Sequence, residues 1–222
     1  MEYEQRPFGD PDLVGNPENR CPVLLLLDTS GSMQGQPIKE LNAGLEVFRD
    51  ELFADSLAAK RVEVSIVTFG PVQTVVDFTG LQTFTPPQLA ASGDTPMGRA
   101  IEQGLELLSG RKKAYRDNGI AFYRPWVFLI TDGGPTDSIA RAKELISAGE
   151  TSKSFSFFAV GVEGANFEVL TSLSPAREPL RLQGLRFRDL FQWLSASLSS
   201  VSRSKPGDQV ALPNPTGWAT VG

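Results

Sequence analysis

Five consecutive aliphatic residues, Val23-Leu24-Leu25-Leu26-Leu27, run directly into Asp28-Thr29-Ser30-Gly31-Ser32. A run so short and so apolar cannot alternate between core and solvent, and it falls far below the roughly 20 residues that cross a bilayer. It reads as a strand covered on both faces. Covering both faces of a sheet requires helices, and the chain supplies one at once. Ile38, Leu41, Leu45, Phe48 and Leu52 recur at spacings of 3, 4, 3 and 4, which is one helical face. The pattern then repeats. Val62 to Phe69 and Val72 to Phe78, split by Gly70-Pro71, read as a hairpin-like pair of strands. Thr95 reads as the N-cap, and Pro96 as the first residue, of a helix facing inward through Met97, Ala100/Ile101, Gly104/Leu105 and Leu108. Trp126 to Ile130 is a second fully apolar strand, followed by a helix over Thr136 to Ala148. A strand at Phe155 to Val162, a short helical stretch near Asn166–Leu173 and a weak strand at Pro179–Gln183 come next. A last helix carries Phe187, Leu190, Leu194, Leu198 and Val201 on one face. Strands alternating with helices imply an α/β fold, with a mostly parallel sheet and helices on both sides.

At 222 residues the chain is one domain with tails. Residues 1–20, rich in Pro, Gly, Asn and Asp, read as an irregular arm, residues 21–202 as the domain, and the Pro/Gly-rich residues 203–222 as a non-helical tail. Trp218 and Val210-Ala211-Leu212 are the residues of that tail suited to tacking it to the body, and a floppy tail is the equally open alternative. Composition removes several chemistries. With no histidine there is no Ser-His-Asp triad, Cys-His pair or His-ligated metal. With one cysteine there is no internal disulfide or Cys-rich zinc site, and Cys21, beside Pro22, reads as a small core residue. A formal charge of −5 argues against a nucleic-acid partner. The N-terminal residues lack a basic segment leading into an apolar one, so the expectation is a cytoplasmic protein with no membrane partner.

In parallel α/β sheets ligands bind at the carboxyl ends of the strands. Three oxygen-rich segments fall there: Asp28-Thr29-Ser30-Gly31-Ser32, Ser92-Gly93-Asp94-Thr95-Pro96 and Thr131-Asp132-Gly133-Gly134. Together they offer two carboxylates, Asp28 and Asp132, and three hydroxyls, Ser30, Ser32 and Thr95. Such a donor set suits Mg²⁺, admits Mn²⁺, and suits Ca²⁺ less, because Ca²⁺ takes more oxygens and more carboxylate. Two carboxylates only balance the ion's charge, so it would remain able to attract an anionic ligand such as a partner's Asp or Glu. Each segment alone also has a plain structural reading. Thr95, Ser30 or Ser32 would cap a helix, and Asp132 would close an Asp-Gly turn. Convergence of all three on one sheet edge favours the metal.

These segments resemble the metal-ion-dependent adhesion site of von Willebrand factor A (vWA) domains, in the right order over roughly Cys21 to Ser202. Arg20-Cys21-Pro22, Leu41-Asn42-Ala43-Gly44-Leu45, Arg61-Val62-Glu63-Val64, Gly93-Asp94-Thr95-Pro96-Met97-Gly98 and Tyr123-Arg124-Pro125-Trp126 are similar to the bacterial TerY-like vWA proteins of tellurium-resistance clusters. The resemblance implies a Rossmann-like, six-stranded sheet in the order 3-2-1-4-5-6 with one antiparallel edge strand. It implies Mg²⁺ held directly by Ser30, Ser32 and Thr95, and directly or through water by Asp28 and Asp132. It also implies protein–protein contact in a bacterial stress response, with a protein kinase and a PP2C-type phosphatase as associated partners.

The leading expectation is thus a non-enzymatic, metal-dependent interaction module. The metal would orient the partner while surrounding loops, including Met33, Asp94, Gly133, Glu163 and Asn166, supply contact area. The alternative is a Mg²⁺-dependent phosphoryl-transfer enzyme, like haloacid-dehalogenase phosphatases, with Asp28 as nucleophile. Those enzymes place a second carboxylate two positions on, where this chain has Ser30. A scaffold that binds no metal is a third reading. No phosphate-binding Gly-x-x-x-x-Gly-Lys-Ser/Thr loop occurs. The basic stretch Gly110-Arg111-Lys112-Lys113-Ala114-Tyr115-Arg116 reads as a solvated helix end.

Overall fold

The structure is a computed structural model describing residues 13, 15–208, 210, 214–215 and 217–221. Its centre is a sheet ordered β3-β2-β1-β4-β5-β6-β7. The strands are β1 (Cys21–Asp28), β2 (Val62–Phe69), β3 (Gln73–Gly80), β4 (Trp126–Thr131), β5 (Ser156–Gly161), β6 (Leu180–Leu182) and β7 (Ala219–Val221). The helices are α1 (Gln36–Ala54), α2 (Ala58–Arg61), α3 (Met97–Asp117), α4 (Ala140–Thr151), α5 (Phe167–Leu173) and α6 (Phe187–Arg203), with a 3₁₀ turn at Gly31–Met33. Strands β2, β1, β4, β5 and β6 run parallel, while β3 and β7 are antiparallel to their neighbours.

Every residue of β1 is buried, as the uninterrupted aliphatic run requires. Alternate side chains enter opposite layers. Val23, Leu25 and Leu27 pack with Leu41, Leu45 and Phe48 of α1 and Phe187, Phe191 and Leu194 of α6. Leu24 and Leu26 pack with Ala100, Ile101 and Leu108 of α3 and Ile146 of α4. At roughly 1.5–3 kcal/mol for each buried leucine, this strand alone fixes which way each helix must face.

The six expected strands are present in the expected order, and the sheet has a seventh. Residues 219–221 of the tail pair antiparallel with β6, so two strands, not one, run against the rest. Trp218 precedes β7, is buried, and packs on Trp193 with ring centroids 5.5 Å apart. Strand β6 has only three residues, and β7 covers the edge it would otherwise leave open. Two other expectations are corrected. The fourth helix starts at Ala140, because residues 136–139 form a loop against α3. The basic stretch ends α3 with Lys113 and Arg116 exposed, as expected, but it is only partly solvated: Arg111 Nε donates to Glu63 at 2.7 Å, Lys112 Nζ donates to the Ser154 carbonyl at 2.9 Å, and Tyr115 is fully buried. Residues 1–12, 211–213 and the other tail positions outside the described set include Ala211 and Leu212, on which part of the tail expectation falls.

Candidate metal centre

Strand register brings the expected residues together. Asp28 ends β1 opposite Phe69 of β2, and Leu27 lies opposite Ile130 of β4, so Asp28 and Thr131 emerge side by side. Backbone hydrogen bonds then tie the emerging loops. Thr29 N–H donates to Phe69, Ser92 N–H to Thr29, and Gly31 N–H to Gly93, at 2.7–3.0 Å. Gly70 has φ of 113°, and a Cβ there would lie 2.6 Å from the Ser30 nitrogen, so only glycine lets the β2–β3 turn approach the Asp28 loop.

The side chains form one polar chain across these loops. Ser30 Oγ and Ser32 Oγ are 3.0 Å apart, and Ser32 Oγ donates to Asp132 Oδ1 at 2.7 Å. Asp28 is completely buried. Its Oδ1 accepts from the Ser30 N–H at 2.9 Å and its Oδ2 from the Thr131 hydroxyl at 2.5 Å. Burial pushes the Asp28 pKa above the ordinary carboxylate value; hydrogen bonds from Ser30 and Thr131 oppose this, and the Asp132 carboxylate adds a smaller upward push. Among the described residues neither Asp28 nor Asp132 forms an ion pair with lysine or arginine.

The structural alternatives for these oxygens fail one by one. Thr95 is not the N-cap of α3. The cap position is Pro96, whose ψ of 64° is not helical, so the helix starts at Met97. The exposed N–H groups of Gly98 and Arg99 are taken by the Asp137 carboxylate instead, both at 2.9 Å. Neither Ser30 nor Ser32 caps α1, which begins after Gly35, and the Ser30 side chain makes no cap bond to the 3₁₀ turn. The turn after β4 is closed by Thr131 Oγ1, which accepts from the Gly133 N–H, rather than by Asp132. Asp28 and Asp132, with the hydroxyls of Ser30, Ser32 and Thr95, thus line one edge without serving as helix caps.

Thr131 is a residue whose role the sequence reading missed. Its position before Asp132 was visible, but a threonine ending a strand carries no signal that it will bond a carboxylate on the neighbouring strand. Of the expected rim, Asp94, Glu163 and Asn166 are exposed and Gly133 is half-buried. Met33 is a correction: it is fully buried among the side chains beneath α1 because the 3₁₀ turn points it inward. Asn166 also caps α5, accepting from the Val169 N–H at 3.1 Å. Gly164, at φ of 97°, passes so near that a Cβ would sit 2.8 Å from the Asp132 carbonyl oxygen. A cavity of about 360 Å³ between Gly70–Val72, Gly93–Asp94 and Thr136–Asp137 adjoins the site. A larger one, about 530 Å³, lies beside Arg20, Glu63 and Arg111 at the opposite ends of the strands, where Glu63 already accepts from Arg20, Arg111 and Tyr115.

Among the described residues no three histidine, cysteine or acidic side chains cluster in a way that could hold a metal. The donor set fits a hard cation only because hydroxyls complete it, and it fits on its chemistry: every donor is oxygen, and a fully buried carboxylate has no ion pair among the described residues. Fold and site together define a Rossmann-like α/β domain with an oxygen-lined cleft at the carboxyl edge of its sheet. The von Willebrand factor type A domain model matches residues 23–188, and the chain belongs to that family. Solved structures share the fold. Proximal thread matrix protein 1 from the mussel byssus is 16% identical, with a TM-score of 0.56 over 83% of this chain and 49% of that one. The pilus adhesin SpaC of Lactobacillus rhamnosus GG is 13% identical, with a TM-score of 0.64 over 84% of this chain and 31% of that one. Manganese-loaded TRAP protein of Plasmodium vivax is 20% identical, with a TM-score of 0.50 over 72% of this chain and 64% of that one. The chain therefore spans from about a third to just under two thirds of these proteins. A search of curated proteins finds no match. Among the described residues no helix is long and apolar enough to cross a membrane.

Proposed function

We propose that this chain is a non-enzymatic protein-interaction module that binds its partner through a divalent cation. The observation that carries the reading is the buried Asp28 carboxylate, without an ion pair among the described residues and joined through the Ser30 N–H to a residue whose hydroxyl begins a chain ending on Asp132. Asp28, Ser30, Ser32, Thr95 and Asp132 would hold Mg²⁺, with Mn²⁺ accepted in its place. When bound, the ion supplies an electrophilic point for an Asp or Glu carboxylate of the partner. The chain's own residues do the rest. Asp28 and Asp132 balance the ion's charge, the hydroxyls add none, and Asp94, Glu163 and the loops beside them offer contact area. A nucleophilic role for Asp28 is disfavoured because both its oxygens already accept hydrogen bonds in a fully buried position. The resemblance to TerY-like proteins supports a bacterial stress-response setting and makes a kinase and a PP2C-type phosphatase the first partners to test.

The test is affinity capture from the native host in Mg²⁺ and in EDTA, with the Asp132→Ala protein in parallel. A partner retained by the parent protein in Mg²⁺, and lost in EDTA and with Asp132→Ala, is the expected result. Capture indifferent to both changes refutes the reading.

A further inference from the structure

We propose that Thr136 and Asp137 are positioning residues that set where Thr95 stands relative to Asp132, and so tune the affinity of the cation site. The inference rests on the metal reading above and goes beyond it, because neither residue is a ligand.

The geometry is a two-part clamp. Thr136 takes both backbone groups of Thr95: its Oγ1 accepts from the Thr95 N–H at 3.1 Å, and its own N–H donates to the Thr95 carbonyl at 2.9 Å. Asp137 takes the next exposed donors, Gly98 N–H and Arg99 N–H, one on each carboxylate oxygen. Pro96 has no N–H to offer and the Met97 N–H donates to the Thr95 carbonyl, so Asp137 supplies the acceptors for the remaining first-turn donors of α3. With its backbone committed, the hydroxyl is the one polar group of Thr95 left without a hydrogen bond among the described residues. A Cβ on Gly133 would lie 3.9 Å from that hydroxyl, so the loop from Asp132 to Asp137 brackets Thr95 from both sides.

Gly98 shows how tightly the two segments meet. A Cβ there would stand 2.1 Å from the Ser138 carbonyl oxygen, so the first turn of α3 lies directly on the loop. The clamp crosses between the segment carrying Thr95 and the segment carrying Asp132. Without it those two donors are linked less directly, through the Asp28 loop and the Gly98–Ser138 contact, and an ion would have more ordering to do on binding. Groups that fix ligands from behind typically change metal affinity by about 10–100-fold when removed.

The experiment uses the full chain and titrates MgCl₂ by calorimetry, with Mn²⁺ electron paramagnetic resonance as a second reading. Thr136 is exposed, so Thr136→Val should fold. The expected result is Mg²⁺ binding about 10-fold weaker in Thr136→Val. Thr136→Ser, which keeps the hydroxyl, should stay near parent affinity. Asp137→Asn, which loses one of two acceptors for the helix N–H groups, should also weaken binding. The bound Mn²⁺ spectrum should change in Thr136→Val and return in Thr136→Ser. Parent-like affinity in both Thr136→Val and Asp137→Asn overturns the clamp and leaves the metal reading standing. So does a fall in metal-free melting temperature with unaltered affinity, since that is a purely structural role. Failure of the parent protein to bind either ion refutes the metal reading and the clamp with it.

Discussion

Asp28→Asn separates a carboxylate kept for a cation from one kept for structure. The side chain has no exposed surface and no basic partner among the described residues, and its oxygens accept from the Ser30 N–H and the Thr131 hydroxyl. Asparagine has the same shape without the charge. In metal-free protein two effects oppose. Removing a buried anion relieves a desolvation cost, the same cost that raises the Asp28 pKa. Losing charge-assisted hydrogen bonding costs about 1–3 kcal/mol. Each is of similar size, so the metal-free melting temperature should move by no more than about 4 °C, given roughly 2–4 °C per kcal/mol in a protein of this length. The parent protein should respond to Mg²⁺ in a way the variant cannot. A ligand present at about 100 times its Kd, and bound only by the native state, adds about 2.7 kcal/mol, or roughly 5–10 °C. Differential scanning calorimetry with MgCl₂ and with EDTA reads both quantities. A Mg²⁺-dependent rise in Asp28→Asn equal to the parent's would defeat the reasoning, because the central carboxylate would then be irrelevant to the ion.

Three further outcomes test the frame around the site. Glu63→Ala should cost about 3–5 kcal/mol in urea unfolding, because it removes the 4% exposed carboxylate that Arg20, Arg111 and Tyr115 share and leaves the buried Arg20 guanidinium without its counter-charge; a loss below about 1 kcal/mol would mean that the cluster is not a structural unit. Trp218→Ala should destabilise by about 3–5 kcal/mol, as for other buried aromatics, and should do so without changing Mg²⁺ affinity, since β7 lies at the far edge of the sheet. Burial pushes the Cys21 thiol up to about 12 from an ordinary 9.0; between those values the unfolded chain has lost a proton the folded chain still holds, so stability should fall as pH rises from 9 to 12, and Cys21→Ala should flatten that slope in denaturant titrations.

What the sequence disclosed, and what it withheld, follows from the range of the signals. The strands and both helical layers were legible because Val23–Leu27 is an unbroken apolar run and the faces of α1 and α6 are long periodic patterns with one reading, whereas the strand order came from the family resemblance. The three loop segments were legible because oxygen donors at strand ends are rare enough to notice together. Strand β7 was not, since three residues carry no period and their pairing depends on β6 needing a neighbour. Thr95 was misread as a cap because the dipeptide Thr-Pro has that local signature, and only the tertiary arrival of Asp137 relieves it of the task. The roles of Thr131, Thr136 and Asp137 are of the same kind. Each is a hydrogen bond to a residue distant in sequence, on which local pattern is silent.

The topology itself explains why a cleft opens between the ends of β1 and β4. After β1 the chain turns to the layer holding α1, whereas after β4 it turns to the opposite layer, holding α3 and α4. Strands β1 and β4 are neighbours, so their outgoing loops part between Asp28 and Asp132. That divergence is the point in a doubly wound sheet where a crevice must form. The crevice floor is the end of a fully buried strand, where an apolar residue would have been the stable choice. A fully buried aspartate there, followed by two serines and faced by a second aspartate, runs against core packing and costs stability in the metal-free chain. Placing four such oxygen-bearing residues at a gap the fold creates, and freeing a fifth at Thr95 by capping α3 from elsewhere, is the pattern expected if a cation offsets that cost.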